Sequence, residues 1–348
     1  MDSKVTLAPF TSFSKVAPLK ILFFWCALTP QIAMLFLSGS YKSLALVLAA
    51  VLGALASEAS SLTKKNGKSL SAAYALLAGT IIGLFFPPDF PAASAFLITF
   101  FFLFMSKSIF GSSGSSWLNP IAIAVMGAWF AGQSFFGSFT VFGADLLAKN
   151  PSLNLIDGAL LTNGADEKIT LFLNDTVFSL FGVSIPNGYV SLFWDNHAAI
   201  PAFRFTFWTL AASIFFIAFD YASARIPCVF LLVYGLLVRF ASPLWTGGGA
   251  RDGDLLLAFL SSGILFAAFF LIQWPGTVPC SDWAKILYAA IGGVLAFVFC
   301  GTGTSPIGAV ATVLFMNIIS PAIQEAESRS VRKKLSALLA DKLGEGER

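Results

Sequence analysis

Long apolar runs, separated by short polar or glycine-rich interruptions, occupy most of this chain. Several runs reach the length of about 17–25 residues that an α-helix needs to cross the hydrocarbon core of a bilayer. Ten runs can be traced, at residues 21–39, 42–57, 70–86, 92–109, 120–136, 203–221, 226–241, 255–274, 284–300 and 306–323. Thr29-Pro30 interrupts the first run. The pattern predicts an all-α polytopic membrane protein with about ten transmembrane helices.

The interruption between the fourth and fifth runs, residues 107–120, is rich in glycine and serine. Gly111 and Gly114 permit backbone conformations that other residues resist. Asn119 can cap a helix that starts at Pro120. Irregular backbone at membrane depth is tolerated only where protein or a cavity covers it, and in transporters such breaks hold ligands and ions. A tight turn between two helices would use the same residues, so both interpretations stay open.

The polar stretches divide the chain into five parts. These are an N-terminal lead (1–20), a first membrane half (21–136), a large extramembrane loop (137–202), a second membrane half (203–323) and a charged tail (324–348). Five helices per half would invert the second half relative to the first. Residues 110–114 before the fifth run resemble residues 299–303 before the tenth, and a proline follows each. We therefore expect two inverted halves of five helices.

Basic residues predict the orientation of the chain in the membrane. The short loop at residues 64–68, Lys107, Arg225 and the basic tail fall on one side of a ten-helix topology, whereas the acidic-leaning loop 137–202 falls on the other. Because short cytoplasmic loops carry an excess of lysine and arginine, both termini are expected to be cytoplasmic.

Composition narrows the function classes further. Only 11% of the 348 residues are charged, against about 25% in a soluble domain, and 57% are hydrophobic. The net charge of +3 is too small and too dispersed to indicate nucleic-acid binding. The four cysteines form no CxxC pair, and the single histidine excludes a bis-histidine haem within this chain. The side chains show no catalytic triad, metal-ligand or dithiol pattern, so a redox role would need a bound cofactor.

Few ionisable residues lie within the apolar runs. Glu58, Lys107, Asp220 and Arg239 all stand near predicted helix ends, where long side chains can reach the interface. Glu58 is the candidate for an ion pathway, because it ends an apolar helix among small residues that a cation could approach closely.

The most turn-like part of the extramembrane loop is residues 157–166. Asn163-Gly164 is a strong turn dipeptide and indicates a solvated hairpin. Alternatively, the glycine amides and the Thr162 hydroxyl could bind an anionic ligand.

Motifs spread along the chain resemble one family. Residues 106–111 and 118–121 resemble its A/S-K-x-x-[FY]-G-G…-x-N-P-A signature, and residues 315–323 resemble its closing M-N-x-x-x-P-x-I. Further matches are Glu58-Ala59, residues 85–88 and residues 263–270. The family comprises the RnfD component of the Rnf electron-transport complex and the related NqrB component of the Na⁺-translocating NADH:quinone reductase.

The resemblance implies a fold similar to urea-transporter-like channels and a place in the bacterial cytoplasmic (inner) membrane. It implies other Rnf subunits and the lipid bilayer as partners, within a complex that couples electron transfer between ferredoxin and NAD to Na⁺ or H⁺ translocation. It also implies an FMN on the extracytoplasmic side, linked as a phosphoester to the last Thr of D-x-x-[ST]-G-A-T. Thr162, Asn163, Gly164, Gly111, Gly114 and Asn119 are then the candidate cofactor-binding residues.

The chain departs from that pattern at the attachment position. Asn163-Gly164-Ala165-Asp166 is the nearest match and places Asp166 where the linking threonine should stand. The acidic motif expected after the eighth run reads Gln273-Trp274-Pro275, and the G-E-T expected before the sixth reads residues 201–204. Three functions remain open: a flavin-carrying subunit of an Rnf-type complex, a flavin-free scaffold subunit of that complex, or a stand-alone channel or solute transporter.

Overall fold

The protein is described here by a computed structural model that covers residues 18–60, 68–109, 116–136, 164–182, 184–185, 187–196, 198–219, 223–241, 253–301, 305 and 307–345. This part of the chain is built from helices and contains no β-strand. The predicted all-α architecture is therefore confirmed.

Five helices form the first membrane half. They are α1 (Pro18–Leu37), α2 (Tyr41–Ser60), α3 (Lys68–Leu84), α4 (Ala92–Ile109) and α5 (Pro120–Ala131). A 3₁₀ turn, Gln133–Phe135, follows α5. The bounds agree with the apolar runs to within a few residues, because the runs end where polar or turn-forming residues begin.

The extramembrane loop carries two helices in its described part. These are α6 (Gly164–Thr176) and α7 (Tyr189–Trp194), with 3₁₀ turns at Phe178–Phe181 and Pro201–Phe203. The expected hairpin is wrong where its end is described, because Gly164 and Asp166 lie in the first turn of α6. An acidic residue in that turn is favoured by the helix dipole.

The second half contains the remaining elements. They are α8 (Thr206–Ala218), α9 (Arg225–Phe240), α10 (Leu255–Ser261), α11 (Ile264–Phe266), a π-helix (Ala267–Leu271), α12 (Asp282–Cys300) and α13 (Gly308–Glu345). Since α10, α11 and the π-helix together occupy the eighth apolar run, the described helices account for all ten runs. The tenth run and the charged tail form one continuous helix, α13.

Helices of both halves suit a bilayer by length and composition. Four stretches are long and apolar enough to cross it: Tyr41–Ser60, Ala92–Ile109, Asp282–Cys300 and Gly308–Lys333. Four shorter apolar helices of 10–17 residues accompany them, at Ile21–Leu37, Ala72–Leu84, Pro120–Ala131 and Thr206–Ala218. The chain is a polytopic membrane protein.

The packing of the first half recurs in the second. Helix α2 packs against α3 and α4, and α4 against α5; correspondingly, α9 packs against α10 and α12, and α12 against α13. Glycines permit the equivalent close contacts: a Cβ at Gly53 of α2 would lie 2.5 Å from the Phe96 carbonyl oxygen of α4. A Cβ at Gly293 of α12 would lie 2.8 Å from the Phe230 carbonyl oxygen of α9. Small residues at helix interfaces are typical of membrane bundles, and their recurrence supports two related halves.

Polar contacts at the helix ends fit an alternating ten-helix path. One set joins ends that this path places on the side of the α1–α2 turn: Lys42–Asp89, Arg204–Ser40 and Tyr189–Asp254. A second set joins ends that it places on the opposite side: Glu58–Lys107, Arg225–Asp282 and Asn119–Leu271. We call these the loop side and the tail side. The two sets of contacts are consistent with every intervening run crossing the membrane.

The expected interruption of the first run is wrong, because α1 runs straight through Pro30. Proline has no N–H and leaves the carbonyl four residues earlier without its helical donor. That carbonyl belongs to Cys26, and the Thr29 hydroxyl donates to it over 2.6 Å. The neighbouring threonine therefore replaces the missing donor and keeps the helix continuous.

The eighth run is broken instead, which the apolar pattern does not predict. Helix α10 ends at Ser261, and Gly263 adopts a left-handed φ of 69° before α11 begins. A Cβ at position 263 would lie 2.2 Å from the Phe203 ring. Only glycine meets both requirements, so Ser262-Gly263 fixes a kink that is buried in the protein.

Candidate functional site

Asn119 joins the two membrane halves at the tail side. Its Oδ1 accepts from the backbone N–H groups of Ile121 (2.9 Å) and Ala122 (3.4 Å) and so caps α5. Its Nδ2 donates to the Leu271 carbonyl oxygen at 3.0 Å. That carbonyl stands at the end of the π-helix, where later residues supply no helical donor. One fully buried side chain therefore completes the ends of two helices from different halves.

Tyr288 supports the same helix end. Its hydroxyl lies 3.4 Å from the Ile272 carbonyl oxygen and is almost fully buried. We call Asn119, Leu271, Ile272 and Tyr288 the inner junction. Open carbonyls within a membrane domain must be satisfied by protein, and here two side chains from other helices do so.

The start of α13 repeats part of this arrangement at the loop side. The Ser305 hydroxyl accepts from the Gly308 N–H at 3.0 Å, three residues on, as Asn119 accepts from Ala122. The sequence has a proline directly after each of these capping residues. Gly301 ends α12 with a left-handed φ of 57°, and its carbonyl accepts from the Tyr234 hydroxyl at 3.2 Å. The predicted correspondence of the fifth and tenth helices therefore extends to their caps.

Glu58 and Lys107 form an ion pair at the tail side, between the ends of α2 and α4. Their side chains are only 20% and 19% exposed, respectively. The structure thus gives the ion-pathway candidate a fixed cationic partner.

A buried polar cluster at the loop side anchors the start of α8. Arg204 pairs with Asp195 through two hydrogen bonds of 2.9 Å and 2.5 Å, and its Nη1 donates to Ser40. Gln31 of α1 donates its side-chain N–H groups toward the carbonyl oxygens of residues 201, 202 and 204. Phe205, next to Arg204, holds a left-handed φ of 57° that is unusual for a bulky residue. These contacts fasten the extramembrane loop to the first half.

Sequence signals for this loop-side cluster are weak. Gln31 is a lone amide within an apolar run, directly after Pro30, which marks it as a side chain in need of a partner. Arg204 stands out only as a departure from the G-E-T motif. Its partner Asp195 is one of several acidic residues in the loop, with nothing in the sequence to distinguish it.

Asp166 organises the described part of the extramembrane loop. Its Oδ1 accepts from the Thr170 hydroxyl (3.1 Å) and the Gly188 N–H (2.8 Å). Its Oδ2 accepts from the Ser191 N–H at 2.7 Å and from the Ser191 hydroxyl. Burial opposes the charged form, but the hydrogen bonds from Ser191, Gly188 and Thr170 outweigh it and lower the pKa of Asp166. The carboxylate therefore ties α6 to the start of α7.

Helix α7 is tied in turn to the second membrane half. The Tyr189 hydroxyl donates to the Asp254 carboxylate, which also caps α10 by accepting from the Leu257 N–H at 2.9 Å. A continuous chain of hydrogen bonds thus runs from α6 through α7 to α10.

The other predicted site residues are placed as follows. Gly164 is the first residue of α6. Thr162, Asn163, Gly111 and Gly114 lie outside the described residues. Among the described residues, no group of three or more His, Cys, Asp and Glu side chains could hold a metal ion.

Comparison with known proteins gives a consistent result. The family model described as NQR2, RnfD, RnfE matches residues 4–333. The chain belongs to this family. Its signature residue Asn119 is therefore the residue that closes the inner junction.

Curated relatives are similar over most of their length. The RnfD-type component of the proton-translocating ferredoxin:NAD(+) oxidoreductase complex of Clostridium ljungdahlii is 22% identical, with 88% of this chain and 89% of the relative aligned. Its counterpart in the ion-translocating oxidoreductase complex of Alcanivorax borkumensis is 27% identical over 85% of this chain and 87% of its own length. The counterpart in Cronobacter sakazakii is 25% identical over 93% and 97%. The chain is thus a membrane subunit of an Rnf-type complex, with other subunits of that complex as its partners.

The described residues do not fit the ester-linked flavin that family membership would imply. A phosphoester needs a hydroxyl oxygen, and Asp166 offers only a carboxylate whose two oxygens already accept hydrogen bonds. The Thr170 and Ser191 hydroxyls beside it are both engaged as donors to Asp166.

Proposed function

We propose that this chain is the RnfD component of a complex that couples electron transfer between ferredoxin and NAD to the translocation of Na⁺ or H⁺. Within the complex its role is to build the membrane scaffold of the ion path. The names of relatives support the reaction, since the Clostridium ljungdahlii protein belongs to a proton-translocating ferredoxin:NAD(+) oxidoreductase complex.

The observation that carries the scaffold role is the bond from Asn119 to Leu271. It joins the start of α5 to the end of the π-helix, so that two interrupted helices meet in the protein interior. Discontinuous helices in transporters present backbone groups and helix ends to ions. A residue of the family signature is thus used for architecture at the position where an ion path through the two halves would narrow.

The chain lies in the bacterial cytoplasmic membrane, with the tail side facing the cytoplasm. Lys107, Arg225 and the basic residues at the end of α13 all fall on that side, in agreement with the positive-inside rule. A fusion of a cytoplasm-dependent fluorescent reporter to the C-terminus would then fluoresce. A fusion of a periplasm-dependent phosphatase at the same place would be inactive, and the reverse pair of results would contradict this orientation.

Glu58 is the residue of this chain that we assign to the cytoplasmic end of the ion path. A partly buried carboxylate can attract a cation, while Lys107 keeps it neutralised when no ion is near. Glu58→Gln should raise the Na⁺ or H⁺ concentration needed for half-maximal coupled activity. Asp282→Asn is the matched control, because Asp282 pairs with Arg225 on the same side but is 62% exposed. An identical ion dependence of Glu58→Gln, Asp282→Asn and the wild-type complex would exclude Glu58.

Deletion and complementation test the proposed function as a whole. Inverted membrane vesicles from cells that lack this chain should lose ferredoxin-dependent NAD⁺ reduction and the ion uptake that accompanies it. The wild-type chain should restore both. Retention of coupled activity in the deletion strain would contradict the proposal, as would ion or solute transport by the isolated chain in liposomes without electron transfer.

A further inference from the structure

Asp166 stands at the position of this chain that corresponds to the flavin-linking threonine in the family motif. Its side chain is directed into the protein, and the residue is only 7% exposed. The four donors around it come from three places in the chain: Thr170 on α6, Gly188 before α7, and Ser191 within α7. Hydrogen bonds from two helices thus converge on one buried carboxylate.

This geometry conflicts with phosphoester attachment for a chemical reason. The ester forms when a hydroxyl oxygen bonds to phosphorus, loses its proton and displaces a leaving group. A carboxylate in the same reaction would give an acyl phosphate, a mixed anhydride that water hydrolyses. Attack would also require Asp166 to give up the two backbone N–H groups of Gly188 and Ser191, which would then be buried without acceptors.

Neighbouring hydroxyls are not free to replace it. Thr170 is 1% exposed and its hydroxyl donates to Oδ1, while the Ser191 hydroxyl donates to Oδ2. Both stand on the carboxylate, so an attached phosphate would place two anions in contact.

We propose that this protein carries no phosphoester-linked flavin, and that the Asp166 carboxylate instead clamps α6 to α7 at the place where the flavin would be attached. The inference deepens the proposed function and rests on it, because it concerns how this RnfD component differs from a flavin-carrying one. Electron transfer through an ester-linked flavin would then fall to other subunits of the complex.

Intact-mass measurement and in-gel fluorescence test the first part. The complex is purified from its native membrane and denatured, with a protein known to carry an ester-linked flavin in the adjacent lane. We expect this chain to have the mass of its polypeptide and to give a non-fluorescent band. A mass increase of one FMN less one water on this chain, at Thr162 or at any other residue, would overturn the inference.

Limited proteolysis of the intact complex tests the clamp. Asp166→Asn and Asp166→Ala should increase the rate of cleavage between α6 and α7 at least several-fold. Asp175→Asn, an exposed carboxylate on the same helix, should leave the rate unchanged. Equal cleavage rates in all variants would refute the clamp even if the band is non-fluorescent.

The two proposals fail in different ways. If the chain does not co-purify with oxidoreductase subunits, the proposed function fails, whereas the mass of the chain still reports its flavin content. If the chain co-purifies and carries a linked flavin, only the inference about Asp166 fails.

Discussion

The Asn119 side chain and the Leu271 carbonyl, 152 residues apart in sequence, meet at 3.0 Å and join the two halves of the membrane domain. The same side chain caps α5. The amide is suited to this position because it offers an acceptor and a donor on one short side chain.

Asn119→Ser separates the two roles of Asn119. Serine is a good N-cap, as Ser305 shows at α13, but it is too short to reach Leu271. The variant leaves a buried carbonyl unpaired and should lower the free energy of unfolding by about 1–3 kcal/mol. Asn119→Ala should cost about 1 kcal/mol more, since the cap is lost too. Equilibrium unfolding in mixed micelles measures both, with Ser305→Ala as the control for a cap alone. Equal stabilities of Asn119→Ser and the wild type would refute the junction.

Gly263→Ala tests the kink in the eighth run. Alanine must adopt the left-handed φ of 69°, and its Cβ would collide with the Phe203 ring. The left-handed conformation costs about 1–2 kcal/mol and overpacking about 1–3 kcal/mol more. Gly39→Ala is the matched control, because Gly39 has a φ of 70° and open space around it. The difference between the two variants in unfolding free energy should equal the collision alone, and no difference would contradict the buried kink.

Thr29 and Pro30 should behave as a coupled pair. Thr29→Val removes the donor to the Cys26 carbonyl and should cost about 1 kcal/mol in the wild-type background. In a Pro30→Ala background the alanine N–H can donate to the same carbonyl, so Thr29→Val should cost less. A double-mutant cycle on unfolding free energies measures the coupling. Strict additivity would show that the hydroxyl does not replace the proline's missing donor.

The extent to which sequence predicts this protein differs between the helices and their contacts. Apolar run length places the helices to within a few residues, since the bilayer imposes a minimum length on any spanning segment. It is wrong at Pro30 and Gly263, because a local hydroxyl rescues the proline and a distant ring enforces the glycine. The partners of Asn119 and Gln31 lie more than 150 residues away, so no local pattern could reveal them. Asp166 is recognisable as a departure from a motif, but its role as a clamp depends on residues of α7 and the turn before it.

The stability of the extramembrane loop should depend on pH through Asp166. The folded-state pKa of Asp166 is lowered, so its contribution is fully present above the ordinary aspartate pKa of about 3.9 and is lost as pH falls through the lower folded value. Hydrogen exchange of the Gly188 and Ser191 amides, corrected for intrinsic rates, measures the free energy of opening. The difference between the wild type and Asp166→Asn should stay constant from about pH 7 to pH 5 and shrink below about pH 4. A constant difference down to about pH 2 would contradict the clamp.

Co-purification from the native membrane tests the central claim most directly. A tag on the C-terminal end of α13 is used to isolate the chain in mild detergent, and mass spectrometry identifies what comes with it. We predict stoichiometric recovery of the other subunits of an Rnf-type oxidoreductase, with NAD⁺ reduction by reduced ferredoxin in the eluate. Recovery of the chain alone, folded and without that activity, would contradict its assignment as a subunit of the complex.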